Sequence, residues 1–209
     1  MTVRSEVEAR AFCAGLTDTV GMARLERLAT MVVEENGRQN LMSKASEGAI
    51  WLRHLADSAQ LLSHVPRGTS PWLDLGTGAG FPGLVIAAMR PDCEVILVES
   101  RKKRVDWLVR AAAELGLGRC RVEGRRLEHV ESFPAAVISA RAFAPLVKLL
   151  ALSARFSTRD TRWLLPKGRS AVQEVASLPA AAAEMFHVEH SVTDAEAGIV
   201  IGTGRPSSA

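Results

Sequence analysis

No stretch of this 209-residue chain approaches the roughly 18 consecutive apolar residues of a membrane span, so no membrane partner is expected. The opening residues, MTVRSEVEAR, are charged and lack the apolar core of a signal peptide, which predicts a cytoplasmic protein. Cysteine is scarce. Cys13, Cys93 and Cys120 are widely scattered, odd in number and without a CxxC pair. That pattern argues against a disulfide framework and a metal site, and predicts small buried thiols. Internal repeats and low-complexity linkers are also missing. The formal net charge of +3 is too small to demand a nucleic-acid partner, though it permits one.

What charge there is lies unevenly. ESRKKR (99–104) and GRCRVEGRR (118–126) concentrate positive residues in the middle of the chain. A solvated helix face accounts for such clusters, and so does a surface that screens phosphates.

The length suits one α/β domain with a helical appendage. From Ser5 to Asn36 the apolar positions recur at helical spacing, with Gly15 and Gly21 suggesting a break between two helices. Ser46 is placed to cap a further helix that runs to Pro66. Beyond that point the pattern changes to alternating strands and helices. WLDLG, EVILVES, CRVEG, AAVISARA and RWLLPKG read as strands, and MFHVEHSV with GIVIGTG reads as a terminal antiparallel hairpin. Helices fall between them: FPGLVIAAMR, its start favoured by Pro82, KKRVDWLVRAAAELG, PLVKLLALSARF and AVQEVASL. The expected fold is α/β, a mostly parallel seven-stranded Rossmann-like sheet with helices on both faces. Residues 1–66 form an N-terminal helical extension packed on a core of residues 67–209. Ligands of such sheets bind at the carboxyl ends of the strands.

One such end carries WLDLGTGAGFPG (72–83), which can be read in two registers. Gly78-x-Gly80-x-x-Gly83, with Glu99 about twenty residues on, matches the dinucleotide fingerprint. Against it, Pro82 removes an N–H near the helix start, where a pyrophosphate collects its donors. Asp74-x-Gly76-x-Gly78-x-Gly80 is instead the first-strand signature of S-adenosylmethionine methyltransferases. Its glycines let backbone approach the ligand without Cβ clashes. Asp74 then faces the methionine ammonium, directly or through water, and Glu99 accepts both ribose hydroxyls. This ligand has no phosphate, so the proline costs nothing, and the class I methyltransferase reading is favoured. A tight turn that binds nothing is the bland alternative.

Downstream residues fit the same pocket. Leu127 is placed to cover an adenine and Glu128 to reach its amino group, although Glu128 alone would more often be a surface acid. Arg141 ends the fourth strand beside the methyl-transfer position, where a simple strand cap is an equal account. His54 and Asp57 stand three apart on the predicted helix, facing one side. They are structural, or with Arg53 they pack the N-terminal helices on the glycine loop or meet RNA.

Four segments together, NLMS…E…LRHLADS (40–58), LDLGTGAGFPG (73–83), VESRKKRVDWL (98–108) and SARAFAPL…PKG (139–168), resemble the glucose-inhibited division protein B family. These are bacterial 16S ribosomal RNA guanine-N7 methyltransferases. The resemblance spans about residues 25 to 175. It implies a cytoplasmic enzyme that uses S-adenosylmethionine to methylate N7 of one guanine in 16S rRNA or the small ribosomal subunit. It also implies cofactor contacts at Gly76, Phe81, Leu127, Glu128 and Arg141. Guanine N7 bears no proton, so positioning and electrostatics suffice. The chain has neither a Pro-Cys dipeptide for cytosine-C5 chemistry nor an Asn-Pro-Pro-aromatic strand end for exocyclic amines. Arg141 is then expected to hold the cofactor carboxylate or guanine O6, and Lys167 to bind O6 or a phosphate. Arg101, Lys102, Lys103, Arg104, Arg125 and Arg126 are expected to meet RNA phosphates. No obligate interface is evident, so a monomer is expected. The competing readings are a methyltransferase with another substrate and a non-catalytic dinucleotide-binding regulator.

Overall fold

The computed structural model describes residues 2–206. The chain opens with α1 (Glu6–Ala14), α2 (Thr19–Asn36) and the short α3 (Lys44–Glu47). The Asp18 side chain accepts the Gly21 N–H and so caps α2. Gly21 therefore sits inside the first turn of α2, and the break between helices falls at Gly15 alone.

The single helix expected from Ser46 to Pro66 is instead a succession of turns. It runs from a π-helical stretch, Trp51–Ala56, through α4 (Asp57–Ala59) to a 3-10 turn, Gln60–His64. Ser46 does not cap it. Its hydroxyl meets that of Ser43, which precedes α3.

Seven strands follow: β1 (Trp72–Leu75), β2 (Val95–Val98), β3 (Cys120–Glu123), β4 (Val137–Ala140), β5 (Arg162–Gly168), β6 (Phe186–His190) and β7 (Gly198–Thr203). They lie in the order β3-β2-β1-β4-β5-β7-β6, and β1 to β5 are mutually parallel. The final hairpin forms as expected, with β7 antiparallel to both β5 and β6. The connecting helices are α5 (Gly83–Met89), α6 (Lys102–Glu114), α7 (Leu146–Ser153), α8 (Ala171–Ala176) and α9 (Ala180–Ala183), the last without a sequence signal. Pro82 precedes α5 as its cap residue rather than opening its first turn.

Two apolar layers sandwich the sheet because side chains alternate across a strand. Trp72, Val95, Leu97 and Val137 face a layer that includes Leu25, Leu28, Leu55, Leu84 and Trp107. Leu73, Leu75, Ile96 and Ile138 face the opposite layer, with Leu127, Leu149 and Trp163. The N-terminal helices thus share a core with β1. No helix among the described residues is long and apolar enough to cross a membrane.

Candidate active site

The crossovers of β1, β2 and β4 meet at the carboxyl edge of the sheet, and the glycine loop lies there. Gly76 and Gly80 adopt φ of 61° and 106°, conformations that side chains rarely tolerate. A Cβ on Gly76 would stand 2.4 Å from the Phe143 ring, and one on Gly80 would stand 2.3 Å from Leu84. The loop is thus shaped by close approach, with Phe143 lying against its first glycine.

Beneath the loop runs a buried polar chain. Trp72 Nε1 donates to Ser139 Oγ at 2.8 Å, and Ser139 Oγ donates to Asp74 Oδ1 at 2.6 Å. Asp74 Oδ2 accepts the Gly83 N–H at 3.0 Å. Asp74 was expected to face a ligand ammonium. Its carboxylate is instead wholly enclosed, holding the start of α5 to β4. Burial pushes its pKa up to about 6, against the hydrogen bonds from Ser139 and Gly83 that favour the charged form.

Glu99 closes β2 and is likewise well supplied. It accepts the N–H groups of Gly78, Ser100 and Arg101 at 3.1, 2.8 and 2.9 Å. These contacts bear on the two registers of the loop. The N–H groups of Gly78 and Gly83, the first and third glycines of the dinucleotide register, are already given to carboxylates. The loop therefore offers a pyrophosphate fewer donors than that register needs.

Two cavities adjoin here. The smaller, of about 360 Å³, brings together Gly76, Glu99, Leu127 and Glu128 along its border. Leu127 is buried and Glu128 exposed on one 3-10 turn, Leu127–His129. Arg101, Arg104, Arg125 and Arg126 surround this cavity, joined by Lys148, which the sequence did not single out. Five cations against the carboxylates of Glu99 and Glu128 leave its rim positive. Lys102 and Lys103 border neither cavity. Lys102 lies 3.8 Å from Asp106, one turn along its own helix, and Lys103 is exposed.

The larger cavity, of about 840 Å³, is bordered by Arg53, His54, Asp57, Arg141, Lys167 and Asp194 among others. Arg141 Nη1 donates to the Arg53 carbonyl at 3.2 Å and approaches Asp57 Oδ2 at 3.4 Å, while Nη2 donates to His54 Nδ1 at 3.1 Å. Its guanidinium carbon stands 5.2 Å from the centre of the Phe81 ring, which stacks on His54 at 5.0 Å. The expectation that Phe81 lines the cofactor pocket needs correction. The residue is only 2% exposed, borders neither cavity, and its ring belongs to this stack. His54 packs the N-terminal helices on the glycine loop. Burial first, then Arg141 and Arg53, push its pKa down to about 3. It is therefore no cation for RNA, and its neutral ring carries the proton on Nε2.

Lys167 also departs from expectation. Its Nζ donates to the Ala144 carbonyl at 2.6 Å and pairs with Glu174 at 2.8 Å, in a side chain only 7% exposed. It cannot present a charge to phosphate without abandoning both partners. Glu174 also accepts the Leu146 N–H at 2.7 Å. Asp194, from the turn between β6 and β7, lies 3.7 Å from Arg53. Every cation of the larger cavity is thus matched: Arg141 with Asp57, Lys167 with Glu174, Arg53 with Asp194.

Sequence reasoning missed Ser139, Phe143, Glu174 and Asp194. Phe143 stands in the SARAFA segment two residues after Arg141, so an aromatic at a strand end was the available signal. The other three have no local signal, because their partners come from distant segments. Ala142, Phe143 and Ala144 border both cavities, and Ala142 has φ of 54°. Among the described residues, no group of three His, Cys, Asp or Glu side chains is placed to hold a metal ion.

The family model described as rRNA small subunit methyltransferase G matches residues 22–199. Curated relatives with high similarity carry the name ribosomal RNA small subunit methyltransferase G. The protein of Erythrobacter litoralis is 58% identical over 203 residues, 97% of this chain and 98% of that one. That of Novosphingobium aromaticivorans is 55% identical over 207 residues, covering 97% and 90%. Among solved structures, a SAM-dependent methyltransferase from Aquifex aeolicus superposes with a TM-score of 0.58 at 15% identity, over 78% of this chain and 96% of that one. A mutant of MtNAS in complex with S-adenosylmethionine gives 0.56 at 15% identity, over 96% and 78%. These two likenesses are of fold, the class I Rossmann-like methyltransferase fold.

Proposed function

We infer the reaction from one premise: the chain belongs to the rRNA small subunit methyltransferase G family. It is an S-adenosylmethionine-dependent methyltransferase acting on 16S ribosomal RNA, and its target atom is N7 of a guanine. The observation that carries this reading is the junction at Ala142–Ala144, where a glycine-walled cavity with an acidic strand end opens beside a larger one of paired charges. Volumes of this size suit small-molecule and nucleobase-sized ligands.

The residues present fit the cofactor. The Gly76 and Gly78 backbone would flank it, Glu99 would accept from its ribose, and Leu127 and Glu128 would hold its adenine. Bound there, S-adenosylmethionine supplies an electrophilic methyl group. Guanine N7 has no proton to lose, so the chain needs no general base, and neutral His54 serves packing instead. A methylated guanine is cationic, which would make an unpaired Arg141 unfavourable. Asp57 removes that difficulty by lying 3.4 Å from Arg141. Arg141 then orients a carboxylate or the guanine O6 through donors its present partners share. The positive rim formed by Arg101, Arg104, Arg125 and Arg126 supplies phosphate contacts that orient RNA without reading it.

The protein is further proposed to act as a monomer in the cytoplasm, where assembling small subunits are found. Transfer of tritium from labelled S-adenosylmethionine tests the reaction. Small subunits from a strain lacking this gene should accept label at a guanine, and subunits from the parent strain should not. Absence of transfer to the former would overturn the assignment.

A further inference from the structure

A base drawn out of RNA into an enclosed cavity loses its stacking neighbours, and enzymes that act on such bases replace them with an aromatic face. Only two of the described residues that border either cavity carry an aromatic ring, His54 and Phe143. His54 is already engaged. It stacks on Phe81 with an interplanar angle of 11°, and Arg141 holds its Nδ1. Phe143 is not engaged in this way. Its side chain is part-buried and reaches both cavities, lying over the face of Gly76.

The local backbone is arranged to keep it there. Ala142, just before it, adopts the left-handed conformation, which is unfavourable for an alanine and so is retained only where surrounding contacts enforce it. Those contacts stand on both sides. Arg141 is tied to His54 and Asp57, and the Ala144 carbonyl and Leu146 N–H are tied to Lys167 and Glu174. Gly76 completes the arrangement, since any side chain there would displace the ring.

We propose that Phe143 is the platform on which the target guanine stacks, placing the base at the boundary that the methyl group must cross. The proposal rests on the rRNA methyltransferase reading and deepens it. The larger cavity is the base pocket, and its paired charges accept a purine whose charge rises by one on methylation.

The test compares Phe143→Leu and Phe143→Met, which keep apolar bulk without a π face, with Phe143→Tyr, which keeps the ring. Affinity for S-adenosylmethionine is read by calorimetry, and kcat/KM is read on unmethylated small subunits. The two aliphatic variants should bind S-adenosylmethionine within about twofold of wild type. Their kcat/KM should fall about 5- to 150-fold, the span expected for losing one base–aromatic stack. Phe143→Tyr should restore most of it. Aliphatic variants as active as wild type would overturn the proposal, leaving Phe143 a spacer. A fall in cofactor affinity that accounts for the whole loss would also overturn it, assigning the ring to the adenine. Wild-type protein that transfers nothing to subunits would instead overturn the rRNA reading, and so the two failures are distinguishable.

Discussion

Asp74 and His54 flank the glycine loop and respond to acid in opposite senses. Burial raises the Asp74 pKa from 3.8 to about 6, so the folded chain holds a proton that the unfolded chain releases. Between those values its contribution to stability falls as pH rises. His54 falls from 6.5 to about 3, so the unfolded chain takes up a proton that the folded chain refuses. Its contribution is therefore lost as pH drops below about 6.5. His54→Phe keeps the stack on Phe81 and removes the titration. At pH 7 the variant should melt below wild type, because Arg141 loses an acceptor. The gap should narrow steadily from pH 7 to pH 5, as followed by Tm at each pH. A gap of constant size would show that His54 is not held neutral. The sequence placed His54 and Asp57 on one side of a helix. It held no sign that Arg141, 87 and 84 residues later, would bind both.

At the scale of elements, the segment between β4 and α7 is the one whose position matters most, and it is held from outside. Lys167 at the end of β5 and Glu174 on α8 grip the Ala144 carbonyl and the Leu146 N–H. Lys167→Met removes the grip at Ala144 and leaves Glu174 without its cation. Hydrogen bonds to charged groups are worth about 1.5–3 kcal/mol, so exchange of the Leu146 amide, which donates to Glu174, should quicken by at least tenfold while β1 and β2 stay protected. Unchanged exchange there would mean that the segment is rigid without Lys167. The helix expected over 46–65 shows the same dependence on surroundings. Its apolar spacing was legible, but the segment packs against α1 and α2 and gives the Trp51 and Leu52 N–H groups to the Glu6 carboxylate of α1, and it opens into a π-helical turn at Trp51–Ala56.

Across the whole molecule, residues 1–66 are an extension in sequence more than in structure. Leu25, Leu28, Leu55 and Leu61 are fully buried in the layer that also holds Trp72 and Trp107. At about 1.5–3 kcal/mol each, these four match the about 5–15 kcal/mol by which a domain of this kind is stable. The extension also brings Arg53, His54 and Asp57 to the larger cavity. A fragment of residues 67–209 should therefore bind a hydrophobic dye and unfold without cooperativity in urea. A sharp cooperative transition would show that the methyltransferase core stands alone.

The succession of the seven strands along the chain, the parallel sense of the central sheet and the class of ligand at the glycine loop were legible in the sequence. Each depends on spacing within a few residues: alternation in a strand, helical period, a glycine where a Cβ will not fit. Tertiary structure alone decided which charges stay free. Lys167 and Arg141 read as available cations, and both meet carboxylates from segments that the chain brings near only on folding. Asp74 and Phe81 turned inward for the same reason, since burial and partners come from the far side of the fold. Phe143 became a wall between two cavities because Gly76, 67 residues before it, leaves room for a ring.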